Sequence, residues 1–208
     1  MAGAARSGRR TRLTRPQLAL AMIVAGTAGR IALAQLANIE TVLAASMLAG
    51  VVLRGWYVAF VPIAIMAVSD VALYAMGIGG AFGLTTILGV SAFTWSGFLM
   101  VSAIGTRVDR SRILFRVRSI AVLTAISVPA TILYDLWTDV GEWYFIAAPR
   151  GITFLQVLAA QVPFTLIHIA SSLIFVPLFG TAFIWLYLHD LPAGGRARAP
   201  AEDRAPSE

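Results

Sequence analysis

The stretch LANIETVLAASMLAG, Leu36 to Gly50, sets an Asn and a Glu two residues apart between two apolar runs. The three residues Asn38 to Glu40 leave little room for an ordinary solvated loop. The apolar run that follows, Thr41 to Leu53, is shorter than the roughly 17–25 residues of a usual membrane-spanning helix. These two features predict a short second helix entered through a polar turn that dips into the protein. At membrane depth such a turn is tolerated only where protein or water satisfies its backbone.

The remainder of the chain establishes which solvent surrounds that turn. Of 208 residues, 59% are apolar and 12% charged, against about 45–50% and about 25% in soluble domains. The fold class expected is all-α, a polytopic membrane protein of one domain, with no soluble second domain. Cysteine is absent, which excludes disulfides, thiolate metal sites and thiol nucleophiles. The net charge of +6 is spread over the two tails and one central loop, with no basic folded face, so it reads as a topology signal and excludes a nucleic-acid partner. The chain has no GxxxxGK[ST] motif, so any active transport takes its energy from elsewhere.

Six spans are predicted within residues 16–190. They run from Pro16 to Leu36, Thr41 to Leu53, Tyr57 to Met76, Leu84 to Ile104, Ser119 to about Trp137, and Thr153 to His189. The last is long for one span and is interrupted by Pro163, Pro177 and Gly180. Asp139 to Gly151 reads as a polar, aromatic loop, and Thr106 to Arg118 as a basic connector. Residues 1–15, Arg-rich with no cleavage site after the first apolar run, and residues 191–208, rich in Pro, Ala and Arg, are expected to be disordered cytoplasmic tails. With a cytoplasmic N-terminus and six crossings, fourteen of the sixteen Arg fall on the cytoplasmic side, Arg30 and Arg150 excepted. Dividing the last run in two would export Arg196, Arg198 and Arg204, so six spans are preferred to seven. Trp56, Tyr57, Trp137, Trp143, Tyr144, Trp185 and Tyr187 fall near span ends, where interfacial aromatics gather.

In that orientation Arg30, Asn38, Glu40, Asp70 and Asp135 gather at the outer level. Each lone charge in lipid costs about 2.5–3.5 kcal/mol at a helix centre, which argues that they turn inward. Two solutions stand: they line an outward-facing, water-filled pocket with Tyr134, or Arg30 and Asp70 simply form an interhelical ion pair. Asp135 and Asp139, four residues apart in YDLWTD, share a helix face, yet a divalent cation needs several more oxygen ligands, so no metal is expected. His168 is expected to be a buried neutral side chain with one hydrogen bond. Ala21, Ala25 and Gly29 form a small-residue stripe on the first helix, with Ala28 and Ala32 on another, and either stripe lets a second helix approach closely.

Three segments, NIETVLAASMLAG, VPIAIMAVSD (Val61 to Asp70) and PRGITFLQVLAAQVPFTLIH (Pro149 to His168), resemble the substrate-binding S components of energy-coupling factor transporters. More closely they resemble an uncharacterised prokaryotic branch of membrane proteins similar to those components. The resemblance covers most of residues 16 to 189 and consists of hydropathy and short polar marks. It implies a six-helix subunit of the plasma membrane with both termini cytoplasmic, which captures a small water-soluble nutrient such as a vitamin or its precursor. No cofactor and no enzymatic reaction are implied. It also implies a transmembrane T component and ATPases as partners, with Ala21 and Ala25, extended by Gly29, meeting the T component. The first loop would line the substrate site, where Arg30, Asn38, Glu40, Asp70, Tyr134 and Asp135 are the candidate binding residues. The chain begins MAG, without the His that follows the initiating Met in the cobalt and nickel subclass, so that subclass is disfavoured.

Other classes fit less well. Ser96 and His168 lie at comparable depths, as in an intramembrane serine protease, but Thr94 stands where the first Gly of a Gly-x-Ser-Gly turn belongs. A lipid-headgroup transferase lacks the upstream Asp-Gly half of its metal motif. A proton-driven solitary transporter would use Asp70 as its carrier. A non-transporting scaffold or assembly protein would use the same spans, with its outer polar residues paired to one another.

Overall fold

The computed structural model describes residues 14–36, 38–39, 41–78, 82–109 and 117–190. Among them the chain is all-helical, without strands: α1 (Arg15–Ala32), α2 (Val42–Val52), α3 (Tyr57–Ala75), α4 (Leu84–Thr106), α5 (Val117–Glu142) and α6 (Phe154–Asp190). Two of these helices begin with the same device. At α1 the Gln17 side-chain oxygen accepts the Thr14 backbone N–H at 2.7 Å, and at α6 Gln156 accepts that of Thr153 at 2.9 Å. Thr-x-x-Gln thus satisfies a backbone donor that a helix start otherwise leaves open.

The short apolar run is the centre of the bundle. All eleven residues of α2 are buried, as expected of a helix that is hydrophobic all round, and α1, α3, α4, α5 and α6 all touch it. Its entry explains the polar turn. Asn38 has φ 56°, a left-handed conformation that Asn tolerates better than most residues. Thr41 then donates its hydroxyl to the Gly26 carbonyl at 2.9 Å, and a Cβ on Gly29 would lie only 2.5 Å from the Thr41 side chain. On its other side α2 meets α4 backbone to backbone. A Cβ on Gly50 would collide with the Ser102 carbonyl oxygen, and one on Gly105 with that of Met47. Small residues here replace the water-driven attraction that helices lack in lipid.

Around this axis, α3, α4, α5 with its extension, and α6 are long and apolar enough to cross a membrane. The protein is therefore a membrane protein with four such helices among the described residues. The helix α1 carries Arg15, Gln17 and Arg30 and is less apolar, while α2 covers about 16 Å at about 1.5 Å per residue.

One segment departs from expectation. Residues 139–151, read from sequence as a loop, continue the helix: α5 runs to Glu142, followed by a π turn (Trp143–Ala147) and a 3₁₀ turn (Ala148–Arg150). Packing accounts for it. Phe93 of α4 lies against Gly141, where an added Cβ would sit 2.6 Å from its ring, and meets Trp137 at a tilt and Phe145 edge-on, with centroids at 4.8 and 6.4 Å. The aromatic residues are thus part of a helix interface, and the chain stops only at Gly151, φ 76°, where the Ile152 N–H returns to the Ala147 carbonyl at 3.1 Å. The last apolar run is one helix of 37 residues through Pro163 and Pro177, about 55 Å long at about 1.5 Å per residue.

Replacing Gly105 by Leu forces α2 and α4 apart and is expected to destabilise the protein by about 1–3 kcal/mol or more. Thermal unfolding in detergent should show a clear loss of Tm for Gly105→Leu and none for Ala103→Leu, whose side chain is on the exposed face of the same turn.

Candidate functional site

A cavity of about 380 Å³ opens at one end of the bundle, where α1, α3 and α5 finish and where α4 and α6 begin. Its roof is the connection into α2, contributing Leu33, Ala34, Leu36, Asn38 and Ile39. Its volume is within the range of about 300–1,000 Å³ common to small-molecule sites.

On one wall the charges close on themselves. Arg30, in the last turn of α1, donates from Nη1 to Asp70 Oδ1 at 2.5 Å and to Ser69 Oγ at 2.6 Å. The other oxygen of Asp70 accepts the Trp95 indole N–H at 2.9 Å. One carboxylate thereby ties α1, α3 and α4 together. The side chains of Arg30 and Asp70 retain 18% and 15% exposure, so the pair is shielded from lipid without being fully sealed.

The opposite wall is built differently. Asp135, Asp139 and Glu142 follow one another at spacings of four and three along α5, and Gln161, Thr165 and His168 do the same along α6, so each trio shares a helix face. All six line the cavity. His168 Nδ1 lies 2.7 Å from Asp135 Oδ1, and Gln161 Nε2 donates to Glu142 Oε2 at 2.5 Å. Tyr134 supports the first contact: its ring stacks on Phe98 at 4.5 Å and meets the His168 ring edge-on at 5.4 Å. Beyond these contacts the wall is unfilled. Asp135 Oδ2 is buried without a hydrogen-bond partner, and Asp139, 7% exposed, has neither a hydrogen bond nor an ion pair among the described residues.

Of the six residues expected at a substrate site, Arg30, Asn38, Tyr134 and Asp135 line this cavity together. Asp70 stands behind Arg30, outside the lining, and Glu40 falls outside the described residues. Ala21 and Ala25 lean on the core while Gly29 accommodates Thr41, so this small stripe serves α1's approach to its own bundle. The outward side of α1 carries Leu20, Val24, Ala28 and Ala32. Glu142, Gln161 and Thr165 escaped the sequence reading, and Asp139 entered it only as a possible cation ligand beside Asp135, because the end of α5 looked like a headgroup loop and the polar residues of α6 before His168 were passed over. The signal was present, as D-x₃-D-x₂-E and Q-x₃-T-x₂-H are both helical spacings. Ser96 donates to the Ala92 carbonyl at 2.6 Å and accepts the Trp137 indole N–H at 2.9 Å. Among the described residues no hydrogen bond joins it to His168.

The family model that matches the chain covers residues 10–193 and is described as a family of unknown function, DUF6580. The chain belongs to this family. No curated protein and no solved structure matches it. The matched region contains α1 to α6 entire, so both walls of the cavity lie within the family's shared domain.

The paired wall makes a direct prediction. Removing one partner of a shielded ion pair strands the other, at about 3–5 kcal/mol for a buried pair, discounted here for the residual exposure. Arg30→Gln and Asp70→Asn should each lower Tm, and the double variant should lose less than the sum of the two, with the difference read as a coupling energy in a double-mutant cycle.

Proposed function

We propose that this membrane protein is a substrate-capture subunit for a small water-soluble nutrient, energised by partner subunits and not itself an enzyme. The observation that carries the reading is the cavity with one wall of polar side chains left open, in a chain otherwise surrounded by lipid. Buried polar groups in a membrane bundle face a partner or a water-filled path, and here Asp135 and Asp139, each with a carboxyl oxygen unpartnered among the described residues, line the cavity.

Charge placement supports an outward-facing mouth in the plasma membrane. Arg54, Arg107 and Arg118 lie at the helix ends opposite the cavity, an end that the positive-inside bias assigns to the cytoplasm. With six crossings both termini are then cytoplasmic, and α2 counts as a crossing completed by the polar turn at its entry. The likeness of Asn38 to Gly50 and of Pro149 to His168 to S components of energy-coupling factor transporters supports a T component and ATPases as partners, met by the outward side of α1 that carries Leu20, Val24, Ala28 and Ala32.

The Arg30, Asp70 and Trp95 network favours a second reading, a scaffold, since it is self-satisfied and ties three helices without a ligand. The two separate by experiment. The tagged chain, expressed at native level and solubilised gently, is expected to copurify with an integral membrane protein and ATPase subunits. Vesicles holding that complex should accumulate a solute only with ATP. Copurification with a complex unrelated to transport would establish the scaffold instead.

A further inference from the structure

The composition of the open wall specifies the charge of what enters. Three carboxyl side chains, Asp135, Asp139 and Glu142, project into the cavity from one face of α5. Among the described residues the only Arg in the lining is Arg30, and its guanidinium is already bonded to Asp70. His168 and Gln161 each satisfy a single carboxyl oxygen, on Asp135 and Glu142. Acceptors remain on all three residues of this wall: Asp135 Oδ2, a buried atom with no partner, the carboxyl group of Asp139, whose residue is more than nine-tenths buried, and the second oxygen of Glu142. Burying carboxylates side by side without a counter-charge is expensive.

A metal ion fits this arrangement poorly, because among the described residues no three His, Asp or Glu groups converge as ligands. The acceptors are strung along two turns of helix, a layout that suits a ligand with several N–H donors on a flat or extended frame. We infer that the cavity binds an organic cation, an amine or amidine whose N–H groups are taken by Asp139 and Asp135, with Glu142 at its far side. This rests on the capture reading and narrows it to a substrate class: a positively charged, water-soluble molecule small enough for about 380 Å³.

The chain's lack of cysteine permits a test in the full-length protein. Ala34→Cys places one thiol in the roof of the cavity, to be modified by a membrane-impermeant maleimide from outside intact cells. The probes are benzamidine with its neutral and anionic counterparts, benzamide and benzoate, and agmatine as a longer cation. Benzamidine and agmatine at saturation are expected to slow modification to about a tenth or less, as occupancy above 90% requires, while benzamide and benzoate leave the rate unchanged. In the Asp139→Asn background the protecting concentration of benzamidine should rise by about tenfold or more, the loss of one charge-assisted contact. If Asp139→Asn does not fold, the order of protection with the native carboxylates decides alone. Modification that proceeds unprotected, or that benzoate or benzamide blocks instead, overturns the cation while leaving an outward chamber standing. No modification of the folded protein from outside overturns the capture reading itself, and the cation with it.

Discussion

The structure is organised by a helix too short for its surroundings. At eleven residues, α2 covers about 16 Å of a hydrocarbon core about 30 Å thick, yet it is buried on every side and touched by every other helix. Its glycine crossing with α4 pins it in place, and Thr41 pins its entry to α1. The remaining depth has to be occupied by something other than α2. What occupies it is the connection from α1, bent at Asn38, and beneath that connection a cavity. A longer second helix would fill this volume with apolar side chains and leave the carboxyl groups of α5 facing oil.

Two solutions to the same electrostatic problem sit across that cavity from each other. On the side of α1, α3 and α4, one cation and one carboxylate are matched, with Ser69 and Trp95 completing their hydrogen bonds. Such a unit holds helices together and asks nothing of a ligand. On the side of α5 and α6, acids outnumber bases, and the contacts made by Gln161 and His168 leave acceptors over. Either wall alone would be ambiguous. Together they set a closed structural ion pair opposite a wall with acceptors to spare, within one family domain that spans both.

Much of this was legible in the sequence. Apolar runs located α2, α3, α4 and α6 to within a few residues, because a helix that is apolar all round, whether it faces lipid or is buried in the bundle, declares itself by hydropathy alone. The turn at Asn38 was legible as an anomaly, two polar residues where no loop fits. The pairing of Arg30 with Asp70 stood as one of two open readings, since periodicity places both at one level but cannot tell a pair from a pair of cavity residues. The end of α5 was not legible. Aspartate, glycine and tryptophan in TDVGEW resemble an interfacial loop, and only the fit of Phe93 against Gly141 shows why the helix persists there. That misreading hid Glu142 and set Asp139 at the headgroups, and with them went the acidic character of the site.

Substrate capture requires water at the open wall between α5 and α6 and lipid around the outer surface of the bundle. Site-directed spin labels read by power saturation test it directly, with Thr138→Cys lining the cavity and Ala103→Cys on the exposed face of α4. In liposomes the label at 138 is expected to relax with a water-soluble nickel chelate, and the label at 103 with oxygen. A label at 138 that responds to oxygen alone, or to neither reagent, would contradict a wet chamber and return the acidic wall to closed internal pairing.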